Sequence, residues 1–117
     1  MRSFRAVAPI DAVATLVLAV ACSTSALAQT RDGAAVYEAV CKACHATGEL
    51  GAPKLGDAKA WKPLIKEGQA MLSRTAIKGI RKMPPKGGAP ELAEVEVRRA
   101  VVYMANAAGA TWKEPVK

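Results

Sequence analysis

Cys41-Lys42-Ala43-Cys44-His45 is the stretch on which the reading of this 117-residue chain turns. A C-x-x-C-H run reads as a c-type haem attachment site. Two thiols three residues apart share one face of a helix, so both can add across the vinyl groups along one edge of a haem. The histidine that follows is then held beneath the ring and offers its imidazole to the iron. Zinc sites and thiol redox sites also use C-x-x-C, so the rest of the chain has to decide between them.

Residues 1–28 read as an export signal. Arg2 and Arg5 form a short positive stretch, Ala12 to Cys22 is an uncharged and mainly apolar run, and Ala26-Leu27-Ala28 gives an A-x-A cleavage site. The apolar run has 11 residues, short of the ~20 needed to span a bilayer. The expected mature chain is one small domain, residues 29–117, with no membrane span and a periplasmic location. A rival reading exists. Leu18-Ala19-Val20-Ala21-Cys22 resembles a bacterial lipobox, in which Cys22 would be acylated and become a lipid anchor. The A-x-A site six residues further on, and alanine at position 19 in place of the usual leucine, favour loss of Cys22 with the signal.

That loss leaves two cysteines, both inside C-x-x-C-H, and no disulfide partner. A free C-x-x-C in an oxidising compartment closes or exchanges as a disulfide, and thioether bonds to haem remove both thiols from that chemistry. A thioredoxin-like enzyme needs strands alternating with helices, and no alternating strand pattern is visible. A zinc site needs four ligands, where only three cysteines and histidines would remain. Haem c, one group and covalently attached, is the expected cofactor.

The charge is uneven. Residues 29–53 carry two Lys and Arg against three Asp and Glu, residues 54–86 carry nine against two, and residues 87–117 carry four against four. A basic patch usually meets nucleic acid, but an exported protein rarely does, so no nucleic-acid partner is expected, and an acidic protein or an anionic membrane surface is favoured instead. The concentrated surplus, with Lys54, Lys59, Lys62, Lys66, Lys78, Arg81, Lys82 and Lys86, is expected to face redox proteins with an acidic docking surface.

Four helical segments are expected, giving an all-α fold. Asp32 suits the N-cap of the first, with Gly33, Tyr37, Cys41 and Cys44 on one face. Thr47 to Gly56 reads as loop. Asp57 caps a short second helix carrying Trp61, Leu64 and Ile65, in which Pro63 must sit in the first turn or cause a kink. Gln69 to Lys78 reads as a third, with Met71, Leu72, Ala76 and Ile77. A fourth is predicted from Glu91 to about Asn106, with Pro90 at its start and Leu92, Val95, the stem of Arg99, Val102 and Tyr103 along one face.

His45 is the chain's only histidine, which excludes a bis-histidine haem within one molecule. Of the methionines left after signal removal, Met71 and Met104 lie inside helical patterns, where methionine is more often core filler. Met83 stands immediately before Pro84-Pro85, which cannot continue a helix and lack backbone donors. A stiff extended strap of that kind holds a thioether over the iron at small entropic cost. The expected iron ligands are therefore His45 and Met83.

In order along the chain, Gly33-x-x-x-Tyr37-x-x-x-Cys41-x-x-Cys44-His45, Gly51-Ala52-Pro53-Lys54, Met83-Pro84-Pro85-Lys86-Gly87-Gly88 and Val101-Val102-Tyr103-Met104 resemble the small class I cytochromes c, most closely the cytochrome c5 type. One departure is that c5-type proteins often carry an extra cysteine pair just after the M-P-P-K-G-G stretch, where this chain has Ala89-Pro90-Glu91. The resemblance implies that the first and last helices cross, with Gly33 giving close approach to the last helix near Tyr103, and Tyr37 and Tyr103 as core aromatics. It implies the Pro53 carbonyl as hydrogen-bond acceptor for His45. Trp61 has two readings: a core aromatic, or an indole donor to a haem propionate.

An iron with both axial positions filled by protein passes electrons and does not readily bind substrate. The chain is therefore expected to be a one-electron carrier and not an enzyme. The alternatives are a haem-bearing subunit or sensor in a larger complex, or a small peroxidase if Met83 ligation is labile.

Overall fold

The computed structural model describes residues 30–117, with residues 3, 5, 6, 8 and 9 near the start. The proposed signal, its cleavage site and Cys22 lie outside the described residues. Among the described residues the secondary structure is helical, and the one strand-like feature is an isolated bridge between Ile80 and Met83.

Helix α1 runs over residues 33–45 in three segments, Gly33–Val36, a π-helical turn Tyr37–Cys41, and Lys42–His45. Its N-cap is Asp32, whose side chain accepts from the Ala35 amide at 2.8 Å. Helix α2, Ala58–Glu67, begins in the same way, with Asp57 accepting from Ala60 at 3.1 Å. Both caps satisfy one of the orphan amides of a first helical turn. Pro63 sits in the helix interior and not in its first turn, and the helix runs on through it. Its missing amide would have met the carbonyl of Lys59; both residues are exposed, so water can satisfy that oxygen.

Helix α3, Gln69–Lys78, has the predicted bounds. Leu72 and Ala76 are buried on it, but Met71 is 47% exposed, so Met71 is a surface residue and not core filler. Helix α4, Glu94–Ala107, starts three residues later than expected. Pro90 instead enters a turn closed by the Leu92 amide on the Ala89 carbonyl at 3.0 Å, where the fixed φ of proline fits the second position equally well. The Glu96 carboxylate then accepts from the Ala93 amide at 3.0 Å and serves that orphan donor. Val102 of the expected face is buried on α4, and so are Val97, Ala100, Val101, Met104 and Ala105.

The core forms where α1 and α3 pack against α4. Val36, Tyr37, Trp61, Leu72, Leu92, Val97, Val101 and Met104 are all buried in it; each large aliphatic side chain among them contributes about 1.5–3 kcal/mol by leaving water. At the crossing, the Tyr37 and Tyr103 rings lie 5.3 Å apart at 45°, a favourable tilted pair. Gly33 is buried against α4, where a Cβ would stand 2.1 Å from the Arg99 carbonyl oxygen. The crossing implied by the resemblance is thus present, but Gly33 meets the backbone of Arg99, one helical turn before the expected Tyr103.

Arg99 also ties residues 30–31 and 115–116 to α4. Its guanidinium donates to the Thr30 and Arg31 carbonyls, the Thr30 hydroxyl, and the Pro115 and Val116 carbonyls at 2.7–3.2 Å. Beside it, Arg31 pairs with Glu96 at 2.9 Å, and that hydrogen bond holds the Glu96 carboxyl below its ordinary range despite burial. Glu114 accepts from the Gly33 amide. Fixing residues 30–31 and 115–116 here holds α1 against α4, and α1 carries the C-x-x-C-H run.

Candidate functional site

The C-x-x-C-H residues occupy the last turns of α1. Cys41 closes the π-helical turn and Cys44-His45 completes the α-helical segment that follows. Single π turns inside α-helices are frequent at functional sites. Here the Lys42 amide reaches back to the Tyr37 carbonyl, which rotates the following residues relative to the start of the helix. Both thiols are free and half-buried. Burial pushes the Cys41 thiol up to about 11, so it stays protonated at neutral pH.

His45 is buried, and its Nδ1 lies 2.8 Å from the carbonyl oxygen of Pro53, the acceptor implied by the resemblance. A carbonyl only accepts, so Nδ1 carries the proton and Nε2 is left as a lone-pair donor. Such an outer hydrogen bond orients a ligating imidazole and raises its basicity. The loop that delivers Pro53 is itself anchored to the helix end: the Gly48 amide donates to the Cys44 carbonyl at 2.9 Å and the Leu55 amide to the His45 carbonyl at 2.8 Å.

Trp61 closes the same side. Its ring centroid is 6.1 Å from that of His45, and it is 3% exposed. Its indole Nε1 donates to the Lys54 carbonyl at 2.8 Å. Of the two readings of this residue, the structure has the core aromatic: the indole donor is engaged by backbone, and it pins the loop that holds Pro53.

Met83 is half-buried and borders an apolar crevice together with Cys41, Val36, Leu92, Val101 and Met104. The crevice therefore brings together the first thiol and the proline-backed methionine, residues 42 positions apart. Cys44 and His45 do not line it; they follow on the same helix, with the His45 ring beside Trp61. Met104, the other buried methionine, sits in the wall as core. The Lys86-Gly87 stretch after the prolines forms a short turn, Pro85–Gly88, with left-handed backbone at Lys86 (φ 54).

This donor set suits a covalently held haem. Two free thiols lie one helical turn apart, a buried imidazole presents one free nitrogen, and Met83 borders an apolar crevice. It does not suit zinc: among the described residues no group of three or more His, Cys, Asp or Glu side chains is placed to hold a metal.

Sequence reasoning missed one residue of this site. Lys86 is half-buried, and its Nζ donates to the Leu92 carbonyl at 2.7 Å, whereas the other basic residues of segment 54–86 are exposed. Lys86 is therefore not a free member of the expected docking charges. Only its place between Pro85 and Gly87-Gly88, where the chain must turn, hinted at a local role.

Comparisons with known proteins bear on the family and the fold. The family model described as Cytochrome C oxidase, cbb3-type, subunit III matches residues 28–104. Cytochrome c-555 of Chlorobaculum thiosulfatiphilum is 46% identical over 76 residues, covering 62% of this chain and 88% of the relative. Cytochrome c5 of Ectopseudomonas mendocina is 44% identical over 66 residues, covering 55% and 76%. A chain from the crystal structure of an electron transfer complex of nitrite reductase with cytochrome c superposes with a TM-score of 0.62 at 45% identity, covering 65% of this chain and 93% of that one. The family implies a covalently bound haem c, for which Cys41 and Cys44 are in place, and the chain belongs to the class I c-type cytochromes.

Proposed function

We propose that this protein is a monohaem one-electron carrier of the periplasm, working between redox proteins, with Cys41 and Cys44 as the thioether residues and His45 and Met83 as the axial ligands. The observation that carries this reading is the His45 Nδ1 to Pro53 carbonyl bond, which leaves Nε2 for the iron, together with Met83 bordering the crevice of Cys41. When bound, the haem supplies a one-electron couple, and methionine–histidine ligation raises its potential relative to harder ligand pairs. The protein's part is to hold both ligands, exclude water through Trp61, Leu92, Val97 and Val101, and present a surface to its partners. Filling both axial positions argues against substrate chemistry at the iron.

Export rests on the signal-like residues 1–28. Among the described residues no helix is long and apolar enough to cross a membrane.

Met83→Ala tests the ligand assignment. The ferric iron should accept exogenous imidazole about a hundredfold more tightly, a difference of ~2.7 kcal/mol, and peroxidase-like activity should appear. Met71→Leu and Met104→Leu should leave the spectrum unchanged. Loss of the iron–sulfur band in either of those variants, with Met83→Ala unaltered, overturns the assignment.

The partner reading rests on the exposed charges from Lys54 to Lys82. The neighbouring structure pairs a cytochrome c with nitrite reductase, and an electron-accepting enzyme with an acidic face is the kind of partner these charges fit. Electrostatic steering acts on association and is screened over roughly 8–10 Å at moderate salt. Electron transfer to such a partner should slow about tenfold or more as salt is raised from low to physiological strength. Reversing Lys78 and Lys82 to Glu should flatten that dependence, while Arg98→Glu, at a residue already paired with Glu94 at 3.3 Å, should do much less. A rate indifferent to salt, measured by stopped flow, contradicts a docking role.

A further inference from the structure

The segment from Gly79 to Leu92 is fastened at two places. At its start Gly79 has φ 81 and no Cβ; one there would stand 2.8 Å from the Pro85 nitrogen and 2.9 Å from the Met83 carbonyl oxygen. The strap thus lies directly on Gly79, and Ile80 and Met83 exchange both backbone hydrogen bonds at 3.0 and 2.9 Å. At the other end Lys86 takes a left-handed backbone conformation, which an L side chain adopts only at a cost. Lys86 borders the Met83 crevice, and its ammonium reaches the Leu92 carbonyl at 2.7 Å. Leu92 is 2% exposed, so that acceptor belongs to the fixed core.

We infer that Lys86 is a positioning residue for Met83: its ammonium latches the strap to the Leu92 carbonyl and holds the Met83 thioether in the crevice that it shares with Cys41. This role rests on Met83 being the axial ligand. A charge-assisted hydrogen bond to a backbone carbonyl is stronger than a neutral one and directional. Between Met83 and Leu92 it is the side-chain bond that ties the strap to the core among the described residues. Without it the strained turn at Lys86 can relax, and Met83 departs more often. An added ligand then competes more successfully for the vacated position, because its apparent affinity scales with the fraction of protein in the open state.

The test is a spectroscopic titration of the ferric holoprotein with imidazole. Lys86→Met keeps the stem and removes the donor; imidazole should bind about fivefold more tightly, the effect of losing one net hydrogen bond. Lys86→Arg keeps a donor and should stay within about twofold of the parent. Lys86→Leu, which also carries no donor, covers the case in which Lys86→Met takes up no haem, and the same tightening is expected of it. The second arm repeats Lys86→Met in a Met83→Leu background, where the substitution should no longer change imidazole affinity, since a latch acting through Met83 has nothing left to hold. An unchanged affinity in Lys86→Met, while Met83→Leu abolishes the iron–sulfur band, overturns the latch and leaves the ligand assignment standing. The same fivefold effect in both backgrounds also overturns it. A Met83→Leu variant that keeps its sulfur band removes the ligand assignment, and the latch with it.

Discussion

Protein carrying Cys41→Ala and Cys44→Ala should show no haem stain at its band on denaturing electrophoresis, where the parent band stains fully. Noncovalent contacts to a haem vanish when the chain unfolds, and thioether bonds do not. Each single variant keeps one sulfur and should keep a stained band, because the two thiols act on separate vinyl groups. The thiols are one helical turn apart and both half-buried, so neither is positioned to substitute for the other. Stability should fall along with attachment, since a chain of this size has a modest core and depends on its cofactor as a staple. A parent band that loses its haem in denaturant with both cysteines intact excludes c-type attachment.

The second large effect is expected at Gly33. A methyl group there would stand 2.1 Å from the Arg99 carbonyl oxygen and 2.6 Å from its carbon. Those are backbone atoms in the middle of α4, so the contact cannot be relieved by a side-chain rotation. Either α1 moves away from α4 or the helix distorts. Alanine is a better helix former than glycine by about 0.5–1 kcal/mol, but a clash of this kind costs more, about 3 kcal/mol or above. Gly33→Ala should therefore lower the denaturant midpoint and reduce Tm by at least about 12 °C. Because α1 carries Cys41, Cys44 and His45, the fraction of chain that matures with haem should fall as well. An unchanged melting curve would mean that α1 and α4 do not meet as closely as described.

How much of this was legible in the sequence follows from the range over which each interaction acts. Asp32 and Asp57 cap their helices through bonds to amides three residues on, and such signals are local. The proline pair after Met83 is equally local, and it placed the strap outside any helix. The start of α4 was misplaced because Pro90 suits either a helix start or a turn, and the choice is made by Leu92 entering the core. The expected face of α4 was met in part: Leu92 and Val102 are buried and Tyr103 packs on the core, while Val95 is only half-buried. Met71 was assigned to the core on periodicity alone, which does not tell a helix covered on one face from one covered on two. Arg99 read as an aliphatic stem, because its five acceptors lie in segments 16 to 69 positions away, beyond any local pattern. The resemblance supplied what periodicity did not, the meeting of Gly33 with α4 and the Pro53 acceptor for His45. The destination of the Trp61 indole, the Lys54 carbonyl, required the folded loop.

The most direct measurement is an absorption spectrum of the purified holoprotein in both oxidation states. With Cys41 and Cys44 attached and His45 and Met83 on the iron, the reduced protein should give a sharp low-spin α-band, and the ferric protein the weak iron–sulfur band. That pair of features would report thioether attachment and methionine ligation in one experiment. A high-spin ferric spectrum without the sulfur band, or a reduced protein that binds carbon monoxide at once, would show an open axial position and contradict the reading of this chain as a one-electron carrier.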